Sequence, residues 1–139
     1  MKSITRFSLG MGDRFGQQGE AQLQAIIDAG AQNIEVTPVW NKSMREHTFI
    51  GTHPVSVRTE ADKAVNSLKY TGAYFVDADH ININNVDEFI GCSDFFTLDV
   101  ADQLGRPPTD AAKHSHYLSA LTKLGEIELN SENAPLQYD

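Results

Sequence analysis

Four short runs of apolar and β-branched residues alternate along the chain with stretches of helical spacing. The runs are Ile4 to Leu9, Asn33 to Val39, Ala73 to Val76 and Phe95 to Val100, and polar loop residues follow each of them. Between the first two, Ala21, Leu23, Ile26 and Ile27 make one apolar stripe opposite Gln24 and Asp28, with Gly30 placed for a left-handed cap. A second helix is predicted from Thr59, whose hydroxyl can cap it with Asp62 reaching back, and Ala61, Ala64, Val65 and Leu68 form its apolar face. A short third helix is predicted from about Asn85, burying Val86, Phe89 and Ile90 and stopping at Gly91. Pro107, Pro108 and Thr109 introduce a fourth, which carries Ala112, Leu118, Leu121 and Leu124.

Strand followed by helix, four times over, predicts an α/β fold of parallel (β/α) units, because parallel neighbours can be joined only by crossovers. The sheet is then either doubly wound or part of a TIM-type barrel. A (β/α)₈ barrel typically needs about 250 residues, so four units amount to roughly half of one. We therefore expect residues 1–125 to form the N-terminal half of a (β/α) barrel, and residues 126–139, which lack a periodic pattern, to form a loose tail. A half barrel leaves its first and last strands without neighbours, which predicts self-association through the sheet edges.

Composition narrows the class. The 139 residues are 40% hydrophobic and 22% charged, as in an ordinary globular domain. The net charge of -8 argues against a nucleic-acid partner, since phosphate contacts need clustered Lys and Arg. Cys92 is the only cysteine, so an internal disulfide, a cysteine-rich zinc site and a CxxC redox pair are excluded. The start, Met1 to Arg6, has no signal-peptide apolar region and no run approaches membrane-spanning length, so we expect no membrane association and a cytoplasmic location.

In parallel α/β folds the ligand site lies beyond the carboxyl ends of the strands. Those positions are polar here. Gly10 to Gly16 follows the first run, Trp40 to His47 the second, and Asp77-Ala78-Asp79-His80 the third, while Thr97, Asp99 and Asp102 lie in or after the fourth. The glycines nearly match a dinucleotide fingerprint, but the third is one residue late and Asp13 stands where a pyrophosphate would sit. Two carboxylates and an imidazole at one strand exit can supply metal ligands and a proton acceptor, or Asp can cap a helix while His80 bonds within a loop. Arg14, Lys42 and Arg45 can grip an anionic substrate or form a solvated charged loop. His47 can serve a ligand or stand exposed in a polar loop, and Trp40 can stack on a sugar ring or pack.

Taken in order, Gly12-Asp13-Arg14-Phe15-Gly16, Val36 to Ser43, Arg45-Glu46-His47-Thr48, Asp77 to Ile81 and Phe96-Thr97-Leu98-Asp99 resemble the tagaturonate epimerase family. The matching stretch runs from about Phe7 to Asp102, and family members are considerably longer than this chain. The resemblance implies an N-terminal portion of a barrel and a metal-dependent isomerase that interconverts tagaturonate and fructuronate at C4. Its substrate would be a small sugar acid, and its cofactor a divalent metal ion. The C4 hydrogen is β to the ketone and is not acidified by it, so cleaving and remaking the C3–C4 bond is the expected route. On that chemistry Asp79 is the expected base and His80 a metal ligand, with Asp77 and Asp99 supporting. Asp13, Arg14, Asn41, Lys42, Arg45 and His47 are expected around the substrate. Two other readings are a dinucleotide-binding oxidoreductase domain and an inactive truncated fragment.

Overall fold

The computed structural model describes residues 6–107 and 110–124. Its elements are β1 (Ser8–Gly12), α1 (Gly19–Gly30), β2 (Thr37–Ser43), α2 (Met44–Ile50), α3 (Val55–Ser67), β3 (Phe75–Ile81), β4 (Phe95–Leu98) and α4 (Ala111–Leu124), with single 3₁₀ turns at Val86–Glu88 and Ala101–Gln103. The four strands form one sheet in the order β1-β2-β3-β4, and every neighbouring pair is parallel. A sheet that never reverses its order keeps all right-handed crossovers on one face, which is how an arc of a barrel is built and how a doubly wound sheet is not. The expected α/β fold of parallel (β/α) units is therefore what the chain adopts. Residues from Met1 to Asp102 form one compact unit and those from Gln103 onward a second. In the second, Asp110 caps α4 by accepting the amides of Ala112 (2.9 Å) and Lys113 (3.1 Å). The predicted tail, residues 126–139, lies outside the described residues.

Helix burial builds the core. Leu23 and Ile26 of α1, with Val57, Ala61 and Ala64 of α3, pack on Met11, Trp40 and Val76, which point to the same side of the sheet. A fully buried leucine such as Leu23 contributes roughly 1.5–3 kcal/mol. Small residues at Ala61 and Ala64 let α3 lie close to the strands. Trp40 stacks edge-on against Tyr74 with ring centroids 6.1 Å apart. It is 1% exposed, so it packs and does not present a face to a sugar. A second small cluster joins Ala78 and Ile81 to Phe89.

Several local expectations are corrected. The first three strands begin two to four and end three to five residues later than their apolar runs, so Gly10 to Gly12, Asn41 to Ser43 and Asp77 to His80 lie in strands and not in loops. The segment expected as a loop around His47 is α2, started by a reciprocal capping box in which Ser43 accepts the Glu46 amide and Glu46 accepts the Ser43 amide. Gly30 is helical. The left-handed residue is Asn33, at φ 62°. The second predicted helix begins at Val55, one turn before Thr59, whose hydroxyl donates to the Val55 carbonyl. Asp62 accepts the Tyr74 hydroxyl at 2.8 Å. The third predicted helix is only a 3₁₀ turn, and of its apolar set Phe89 is buried while Ile90 is exposed.

One charged residue fastens the far side of the sheet. Asp94, just before β4, accepts the Val76 amide at 2.8 Å and the Arg58 guanidinium at 2.5 Å, while Arg58 also donates to the Cys92 carbonyl at 3.1 Å. The pair ties α3 to both β3 and β4. We expect Asp94→Ala to lower the unfolding free energy by about 2–3 kcal/mol, since it strands a charged donor and a strand amide. A urea melt with an unchanged midpoint would show that Asp94 does not anchor this corner.

Candidate active site at the strand ends

Because the strands are parallel, their C-terminal ends converge at one side, and the polar residues found there are the candidate site. Asn41 is register partner to Asp77, and Ser43 to Asp79. The glycines of β1 make room for this row. A side chain added at Gly10 or Gly12 would begin 3.5 or 3.6 Å from the Asn41 Oδ1, so the Asn41 side chain lies over the two glycines of β1. Asn41 donates a long 3.4 Å bond to Asp79, and Asp77 accepts the Thr97 hydroxyl of β4 at 2.7 Å. Burial is the chief force raising the Asp77 carboxyl above its ordinary value, and the neighbouring Asp79 adds to it.

A bulge presents the next residues. Ala78 pairs with Phe96 and Ile81 with Leu98, so three steps along β3 face two along β4. The extra residue falls in the Asp79–His80 stretch, and His80 has a left-handed φ of 55°, strained for a residue with a side chain. Its Nδ1 lies 2.5 Å from an Asp79 oxygen. The imidazole is 64% exposed and the carboxylate 16%, so His80 stands forward with Asp79 behind it. His80, Arg45, Asp99, Ser43, Asn82 and Asn85 line one cleft of about 240 Å³.

Of the residues singled out from the sequence, the structure thus brings Asn41, Asp77, Asp79, His80, Asp99 and Arg45 to the strand ends. Four others have different surroundings. Asp13 does not line the cleft. Its oxygens accept the amides of Phe15 (3.0 Å), Gln17 (2.6 Å) and Gln18 (2.6 Å), which hold its carboxyl below the ordinary range against the opposing effect of burial. The amides that a pyrophosphate would require are therefore occupied by the protein's own carboxylate, which removes the structural basis for dinucleotide binding here. Arg14 lies 3.7 Å from Glu46 and over the Phe49 ring. Lys42 is 3% exposed and points away from Asn41, toward Gly16 and Glu60. Glu60 was not singled out. Burial is the leading cause of its raised carboxyl, and a side chain at Gly19 would come within 2.9 Å of it.

His47, expected in an open loop, is completely buried on α2. Its Nδ1 is 2.9 Å from Thr52, its ring meets Phe89 edge-on, and its Nε2 has no hydrogen-bond partner among the described residues. The signal available in the sequence was Ser43-Met44-Arg45-Glu46, a capping pattern that makes the following stretch a helix.

Among the described residues no three of His, Cys, Asp or Glu gather closely enough to hold a metal ion. A catalytic metal commonly takes three protein ligands, so these residues do not by themselves fit the expected divalent cation. No helix among them is long and apolar enough to cross a membrane.

The chain is thus an α/β fold of sequential parallel strands, with an acid–imidazole pair beside a polar cleft at their C-terminal ends. The chain belongs to the tagaturonate epimerase family, whose sequence model matches residues 2–132. Among solved structures it resembles native fructuronate-tagaturonate epimerase UxaE from Cohnella laeviribosi, with a TM-score of 0.65 at 22% identity over 86% of this chain and 27% of that one. The one-glycerol and two-glycerol complexes of the same enzyme match with TM-scores of 0.58 and 0.59 at 23% and 20% identity, over the same shares of each chain. This chain thus spans about a quarter of the length of those structures. No curated protein matches it.

His47 makes the fold sensitive to acid. Burial first, and then Lys42, pushes its imidazole down from 6.5 to about 4, so the folded protein holds it neutral where the unfolded chain would protonate it. The stabilisation is complete above about pH 6.5, is lost as pH falls toward 4 and changes no further below that, a total of about 3 kcal/mol. We expect His47→Gln to flatten this part of the stability profile relative to the parent. Parallel curves for the two proteins between pH 6.5 and 4 would mean that His47 is not the group responsible.

Proposed function

We propose that this chain forms part of the active-site face of a hexuronate epimerase, acting on a 2-keto hexuronate at C4. Its membership in the tagaturonate epimerase family supports the substrate class. The observation that carries the site is the Asp79–His80 pair, placed on a bulge and opening onto a cleft shared with Arg45 and Asp99.

The chemistry follows from where the substrate is acidic. Removing the C4 hydrogen directly would give a carbanion that the C2 ketone cannot delocalise. The C4 hydroxyl is a better target. When the Asp79–His80 pair takes its proton, the C3–C4 bond breaks, C4 becomes an aldehyde and the electron pair moves into a C2–C3 enediolate. The aldehyde turns over, the C3–C4 bond reforms on its opposite face, and the pair returns the proton to the new C4 oxygen. Asp79 orients the imidazole and balances its charge when protonated, while the outward ring nitrogen meets the substrate. The Arg45 guanidinium matches the substrate carboxylate as a two-pronged donor. Asp99 and Asn85, which line the same cleft, can accept from or donate to sugar hydroxyls. The described residues do not make a complete metal site, and none of these steps runs through a metal.

Asp79→Asn should lower turnover at least about a hundredfold, the usual worth of positioned acid–base help, in an assay of tagaturonate and fructuronate interconversion. Near-normal turnover would remove Asp79 from the reaction. Product formed in D₂O should carry no deuterium at C4, because the C4 hydrogen never leaves carbon. Label at C4 would overturn the cleavage route.

A further inference from the structure

We propose that Phe89 is a positioning residue for the Asp79–His80 pair: its ring holds Ala78 and Ile81 on one side of β3 and so keeps between them the extra residue that brings His80 forward. That the pair does chemistry rests on the epimerase reading. That Phe89 holds the pair in place is measured without substrate.

Residues three apart in a regular strand face opposite sides of the sheet, since side chains alternate with a period of two. Ala78 and Ile81 are three apart, yet both are buried in one small cluster with Phe89. The bulge reconciles the two facts. With one surplus residue between them, Ala78 pairs with Phe96 and Ile81 with Leu98. The surplus costs strain, in the left-handed backbone of His80 at φ 55°. Smoothing the strand would relieve that strain and would turn Ile81 to the other side of the sheet, away from Phe89. Burial of one such side chain is of the same order as the strain it opposes, so this contact decides between the two forms.

Phe89 is itself fixed from two directions. Behind it in the chain, the Asn82 amide donates to Asn85 Oδ1 at 2.8 Å, the Val86 amide to the Asn82 carbonyl at 3.1 Å and the Phe89 amide to the Val86 carbonyl at 2.9 Å. Asn82 and Asn85 also line the cleft that His80 enters. From α2, Met44 packs on the same cluster, and the His47 ring meets Phe89 with centroids 6.2 Å apart. That helix is capped by Ser43, the register partner of Asp79, so the element that braces Phe89 starts at the site itself. Ala78, Ile81, Phe89 and His47 are each at most 3% exposed, so the described residues alone seal this packing.

Nuclear magnetic resonance of the full chain reads the bulge through the HN–Hα coupling and the Cα and Cβ shifts of His80, which report its φ. These should be left-handed in the parent and move toward extended values in Phe89→Ala. Leu23→Ala, in the other core cluster, should leave them unchanged. In the interconversion assay Phe89→Ala should lower kcat at least about tenfold and change KM by less than about twofold. In an Asp79→Asn background the same substitution should cost less than about twofold, because the pair it positions is already disabled. An extended His80 in the parent, or His80 signals unaltered by Phe89→Ala, would overturn the proposal. So would an equal change in Leu23→Ala, which means general loosening of the core, or an undiminished loss in the Asp79→Asn background. Should circular dichroism show Phe89→Ala unfolded, Phe89→Leu carries the same comparison. A parent with a left-handed His80 and no turnover would count against the epimerase reading alone, and the His80 signals would still decide the role of Phe89.

Discussion

The requirement that parallel strands be joined by crossovers governs the rest of this structure. It forces each of the four strands to end on the same side, and it places α1 and α3 against one face of the sheet. Side chains on that face can then be apolar or buried, as Met11, Trp40 and Val76 are. Alternation along the same strands turns Asn41 and Asp77 to the other face, where they lie in register. Core and candidate site are thus two readings of one set of residues, separated by the two-residue period of a strand.

That period explains what could and could not be read from the sequence. The order of elements and the parallel class were legible because apolar runs and helical stripes follow one another four times. The strand positions were less so. Extended segments were sought where residues are apolar, yet β2 ends in Asn41-Lys42-Ser43 and β3 contains Asp77-Ala78-Asp79-His80. Polar residues are stable in these strands because Thr97 and Asn41 supply hydrogen-bond partners within the sheet itself. Burial of His47 was hidden for a related reason. Its local sequence is polar, and the ring it meets, Phe89, is distant in the chain.

The candidate site was legible as residue types at strand exits, and its geometry was not. Nothing in the order of letters distinguishes Asp13, which folds its carboxylate onto its own turn, from Asp79, which faces a histidine. The difference is one of backbone. Three amides converge on Asp13 as the chain turns into α1, whereas Asp79 sits in a strand whose pairing is interrupted. Likewise Arg14 and Arg45 are both arginines in polar stretches, but Glu46 and the Phe49 ring engage the first, and the cleft receives the second.

The interruption in β3 has a consequence for how this segment can change over time. Between Ala78 and Ile81 the strand carries one residue more than its neighbour, which is how two residues three positions apart both face the Phe89 cluster. Deleting a single position there would restore regular pairing and keep Ile81 on the Phe89 side, but it would remove the left-handed residue at which His80 stands forward of Asp79. Substitutions can therefore accumulate in this stretch more readily than insertions or deletions, and its length is under tighter constraint than any one of its side chains.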